Sequence, residues 1–152
     1  MRRIRSLSLL LVVGALAAAL LGCSSSDTDA ASAHPAAKAL DRLLQLRVEG
    51  SHDASAYADY FEDPALATAL AESTASTGTA AVPRWEPPYV SAVGTDTVDV
   101  IVRWVASDDF PDWPAATAFI LREAGTRWLV IDAVEPADPL PGPVADSKLD
   151  AR

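Results

Sequence analysis

Near residue 89 the hydrophobic period of this chain changes from roughly 3.6 to two, and that switch sets the order of its elements. Before it, apolar residues recur one helical turn apart. Ala36, Leu40, Leu43, Leu44 and Val48 share one helical face, with Lys38, Asp41, Arg42 and Gln45 on the other. Pro35 suits a first helical position and Gly50 a stop. A short helix over 54–61, capped by Asp53, would present Tyr57, Tyr60 and Phe61. Asp63-Pro64 combines an N-cap with proline at N1 and opens a third helix to about Glu72, and the small, polar run 73–80 reads as loop. After the switch, strands are expected at Tyr89–Val93, Thr97–Ala106, Ala115–Glu123 and Arg127–Val134. Turns fall at Gly94-Thr95-Asp96 and Ala124-Gly125-Thr126. Helices followed by an antiparallel four-stranded meander form an α+β fold with the helices on one face of the sheet.

The apolar residues are unevenly placed. Arg2, Arg3 and Arg5 precede a run from Leu7 to Leu21 broken only by Ser8 and Gly14, and it ends in Leu20-Leu21-Gly22-Cys23. Fifteen positions are short for the ~20 residues of a spanning helix and fit the core of a signal peptide. The tetrapeptide resembles the lipobox of bacterial lipoproteins. The resemblance implies cleavage between Gly22 and Cys23, thioether lipidation of Cys23, and a protein held on the extracytoplasmic face of a cell membrane. Cys23 is the one cysteine of the chain, which leaves no internal disulfide and no zinc site built on several thiolates.

Removing 1–22 removes three of the 12 basic residues and no acid. The net charge of −9 then becomes −12, from 9 basic and 21 acidic residues. A sequence pI of about 4.5, with no basic cluster past residue 5, argues against a nucleic-acid partner. The same charge is repelled by anionic headgroups, which leaves the lipid on Cys23 as the membrane attachment.

Residues 23–34 carry no large apolar side chain and are expected to be a flexible tether, spanning roughly 18 Å as a coil. Residues 136–152 hold Pro136, Pro139, Pro141 and Pro143 with scattered charges and are expected to be a disordered tail. The folded unit is then 35–135.

An amphipathic helix, a second short helical piece and a meander ending in Gly125-Thr126-Arg127-Trp128-Leu129-Val130-Ile131-Asp132-Ala133-Val134 resemble the NTF2-like superfamily, particularly its small bacterial lipoproteins. The resemblance implies a cone in which a curved sheet wraps the helices around an apolar pocket. Some members are isomerases or dehydratases, and many are non-catalytic binding or dimerisation domains. Trp104, Phe119, Trp128 and Val130 are candidate pocket or interface residues, with Phe110 and Trp113 of the 107–114 loop as contact aromatics or as a flap folded back over the core.

Both sheet faces read as apolar. A second apolar face calls for a cover: a second copy, an envelope partner, or the chain's own segment Trp85-Glu86-Pro87-Pro88.

Candidate chemistry is sparse. His34 falls in the tether and His52 in a polar turn, where both read as solvated. Asp108, Asp109 and Asp112 match no calcium loop, and no metal or cofactor is expected. Asp132 alternates with Trp128, Val130 and Val134. It is the one acid placed to face the interior as a base, unless it reaches water or pairs with Arg103 or Arg122. The expected function is a lipid-anchored, non-catalytic binding or assembly module. The alternatives are a small pocket enzyme of isomerase or dehydratase type using Asp132, or a carrier of an apolar ligand.

Overall fold

The computed structural model describes residues 24–77 and 82–149. Cys23 and the leader lie outside them. Among the described residues five helices, α1 (Ser24–Ala33), α2 (Pro35–Val48), α3 (Ala54–Ala58), α4 (Pro64–Thr77) and α5 (Asp146–Leu149), accompany one sheet. Its strands are β1 (Tyr89–Val93), β2 (Thr97–Arg103), β3 (Ala116–Ala124) and β4 (Arg127–Val134), antiparallel in the order β1-β2-β3-β4. The fold is α+β, with helices and a four-stranded meander. Among the described residues no helix is long and apolar enough to cross a membrane.

Local chemistry explains most boundaries. His34 caps α2, its Nδ1 accepting the Ala36 N–H at 3.2 Å, and Pro35 follows in the first turn. Asp53 and Asp63 cap α3 and α4 by accepting the N–H groups of Ser55 and Ala65, each at 2.9 Å. Losing the Asp63 cap should lower stability by about 1 kcal/mol. Urea denaturation of Asp63→Ala checks this, and an unchanged midpoint would show that the cap contributes nothing. α3 ends at Ala58, short of the expected 61, because residues 60–62 turn to pair with β4: Val130 N–H donates to Tyr60 O at 2.7 Å and Glu62 N–H to Val130 O at 3.3 Å. Gly125 opens the β3–β4 turn at φ +67°, where a side chain would be strained, and among the described residues no residue but glycine takes positive φ.

The main core lies between α2 and one sheet face. Leu40, Leu43 and Leu44 meet Val90, Val98, Val100, Val102, Leu121, Trp128 and Val130, all buried. The alternation expected along β2 holds. Val48 departs from the expected stripe and is 52% exposed.

The other sheet face is covered by the chain's own ends, which corrects two expectations. Residues 24–33 form helix α1 where a coil tether was expected. Ala31 of α1 is fully buried with Tyr89, Ile101, Ala116 and Ala118, and the tail's Leu140 and Leu149 pack on the same cluster. The tail is likewise ordered through 149. Tyr89 Oη donates to Pro141 O at 2.8 Å, Val144 N–H donates to Val90 O at 2.9 Å, and the Val144 side chain is buried. Small residues explain α1: an alanine contributes little area of its own, but it lets a helix approach the large apolar side chains of a sheet. The segment 84–86 lies instead along the end of β2, with Glu86 N–H on Arg103 O at 2.9 Å and Val105 N–H on Arg84 O at 2.7 Å. Both sheet edges are thus occupied, β1 by the tail and β4 by residues 60–62, which blunts the pairing of strands between molecules.

Candidate functional site

α2 and α4 stand apart from the far end of the sheet, and the gap between them is a cavity of about 340 Å³. Leu43, Leu44 and Arg47 of α2, Phe61, and Leu70 of α4 form one side. Thr117 and Phe119 of β3, Trp104, and Asp112, Trp113 and Pro114 of the following loop form the other. The walls are mostly carbon, as in small-molecule sites, and the volume is at the small end of their range.

The 107–114 loop walls one side of the cavity because its aromatics fold inward. Phe110 N–H donates to Ser107 O at 3.0 Å and Trp113 N–H to Phe110 O at 3.2 Å, giving two successive turns stiffened by Pro111 and Pro114. Trp113 then meets Trp104 edge-to-face at 5.5 Å and Phe110 at 5.8 Å, in the preferred geometry for aromatic pairs. Trp104 Nε1 donates to Thr117 Oγ1 at 2.9 Å. Trp113 Nε1 is buried with no partner.

Of the sequence-derived candidates, Trp104, Phe119 and Trp113 line the cavity, and Phe110 supports it from behind. Trp128 and Val130 do not line it. They are buried under α2, where Trp128 packs edge-to-face on His34 at 5.3 Å. His34 is therefore a structural cap and not a solvated tether residue. His52 is exposed.

Asp132 is on the opposite face from the one its spacing suggested. The β3–β4 register pairs Leu121 with Val130 but Ile120 with Asp132, so Ile131 is an extra residue. Such a bulge reverses the alternation beyond it. Trp128 and Val130 face the core, while Asp132 and Val134 share the outer face with Ile120 and are exposed. Asp132 Oδ1 accepts the N–H of Ala133 at 2.8 Å. Neither expected arginine partner reaches it: Arg122 Nη1 donates to both carboxylate oxygens of Glu62, at 2.9 and 2.8 Å, and Arg103 lies 3.8 Å from Glu86. Asp132 borders an open surface depression with Glu62, Asp63 and Arg122.

No family model, curated protein or solved structure matches this chain. The cavity must therefore be read from its own residues. Among them Arg47 went unnoticed in the sequence, although it follows Leu40 by seven, Leu43 by four and Leu44 by three, on the apolar stripe itself. Burial pushes the pKa of its guanidinium down, with Tyr57 opposing the shift. Its neighbour Val48 takes the outward position. Among the described residues no group of three histidines, cysteines or acids could hold a metal ion.

Proposed function

We propose that this chain is a cell-envelope lipoprotein whose NTF2-like α+β domain is a non-catalytic binding module for a small apolar ligand. The observation that carries the proposal is the cavity between α2, α4 and the sheet: carbon walls, three aromatic side chains from the sequence-derived set, and a loop walling one side. Binding is favoured over assembly because α1 and the tail occupy the second sheet face that a partner would have used. An enzyme reading lacks its base, since Asp132 is exposed on the outer face. The helices-then-meander order and the cavity position support the NTF2-like assignment.

Lipidation of Cys23 would hold the domain against the membrane. Because α1 begins at Ser24 and packs on β1, little slack would separate the acyl chains from the domain.

The binding reading is tested with a neutral apolar probe, N-phenyl-1-naphthylamine, whose fluorescence rises on leaving water. The protein should enhance it saturably. Leu70→Trp, which fills the cavity from α4, should weaken binding at least tenfold while the far-ultraviolet circular dichroism stays unchanged. An enhancement that is absent, or indifferent to a folded Leu70→Trp variant, would overturn the proposal.

A further inference from the structure

A cation on a largely apolar wall specifies more than greasiness. The Arg47 side chain is partly buried, and no carboxylate among the described residues lies within 4 Å of its guanidinium, whereas Arg42, Arg103, Arg122 and Arg127 each have one. The end of α2 offers Arg47 only the diffuse negative pole of a helix. Its terminal carbonyl oxygens are already engaged: Gln45 O accepts from Glu49 N–H, Arg47 O from Gly50 N–H, and Leu46 O from Ser51 N–H and Tyr57 Oη. Taking a charge out of water without a counter-charge is costly, and such groups are normally paired. An unpaired guanidinium at such a place calls for a ligand that brings negative charge into a carbon-lined space.

We infer that the cavity takes a single-chain carboxylic acid of medium length, its tail among Leu43, Leu44, Phe61, Leu70 and Phe119 and its carboxylate on the Arg47 guanidinium. The inference rests on the binding reading above and adds the ligand's class. The volume of about 340 Å³ equals roughly eleven units of the ~30 Å³ that a water occupies in the liquid, enough for one short chain and too little for a two-chain lipid. A carboxylate is favoured over a phosphate for two reasons. One guanidinium matches one negative charge, and its planar fork fits two carboxylate oxygens. A dianion would also leave excess charge beside Asp112, in a chain already at net −9.

Competition against N-phenyl-1-naphthylamine tests this with decanoate, 1-decanol and decyl phosphate. Decanoate should displace the probe at concentrations at least tenfold below 1-decanol, with decyl phosphate weaker than decanoate. Arg47→Gln should erase the advantage of the acid and leave 1-decanol unchanged. Arg47→Lys should keep part of the advantage, because it keeps the charge and loses the fork. Asp112→Asn should tighten decanoate severalfold. Equal displacement by acid and alcohol would overturn the inference and leave the binding reading standing. Tighter binding of decyl phosphate would reject the carboxylate, and an acid preference that survives in Arg47→Gln would remove Arg47 from the site. A wild-type protein that binds neither the probe nor the competitors would overturn the binding reading as well.

Discussion

Replacing residues 1–23 by a cleavable secretory signal peptide without the cysteine should move the protein almost entirely from the membrane fraction to the soluble extracytoplasmic fraction. The size of the effect follows from what holds the protein in place. Each methylene of an acyl chain buried in the bilayer contributes ~0.8 kcal/mol, and stable anchoring takes two chains. That exchange removes the thiol that would carry the thioether-linked lipid and the amino terminus that would be acylated, and the apolar leader is cleaved away with the signal. Nothing in the rest of the chain compensates. Past residue 22 there are 9 basic and 21 acidic residues, and anionic headgroups repel that charge. Among the described residues there is also no helix able to span. The measurement is fractionation after high-salt washing, with metabolic labelling by an alkyne fatty acid. The wild type should be labelled and sediment with membranes, and the variant should do neither. A labelled variant, or an unlabelled wild type, would sink the lipoprotein assignment.

What could be read from the residues divides along physical lines. The α2 stripe of Leu40, Leu43 and Leu44 and the β2 valines were legible because each is a strong period in large side chains, and burial of such residues dominates the choice of local structure. The caps at Asp53 and Asp63 were legible because capping is a contact between near neighbours. That the sheet has two apolar faces was also legible. What covers the second face was not. α1 docks through Ala31, and the tail docks through Leu140 and Leu149, thinly spaced among prolines and polar residues. Composition averages hide contacts of that kind, because the sheet supplies most of the buried area. Asp132 was misplaced for a different reason. Whether the extra residue Ile131 interrupts β4 depends on its register with β3, a non-local property that alternation along one strand does not contain. Arg47 was missed because a charged residue on an apolar stripe looks like its edge. The cavity residues Trp104, Phe119 and Trp113 were found by being large aromatics, while the cation that gives the cavity its polarity was not.

Deleting residues 136–152 should destabilise the domain by about 3 kcal/mol, since the buried side chains it removes are worth ~1.5–3 kcal/mol each when fully buried. Val144 is only 8% exposed, and Leu140 and Leu149 are partly buried on the cluster of Tyr89, Ile101 and Ala118. Their contribution is reduced because freeing the tail recovers its conformational entropy. Three hydrogen bonds are lost with them, from Tyr89 Oη to Pro141 O, from Val144 N–H to Val90 O and, at 3.5 Å, from Asp146 N–H to Asp27 Oδ1. At several degrees per kcal/mol for a domain of this size, Tm should fall by on the order of 10 °C. A disordered tail predicts the opposite, a truncated protein that melts with the wild type, and that outcome would refute the packing described here. The deletion has a second consequence. It uncovers an apolar strip beside α1 and frees the β1 edge at Val90, where an unpaired carbonyl can accept a strand from another molecule. Sedimentation velocity should therefore show concentration-dependent association of the truncated protein. The point variant Val144→Ala separates the two effects. It keeps the backbone bond to Val90 and the cover over Tyr89, so it should cost about 1.5 kcal/mol, close to the transfer free energy of the two methyl groups removed, without association.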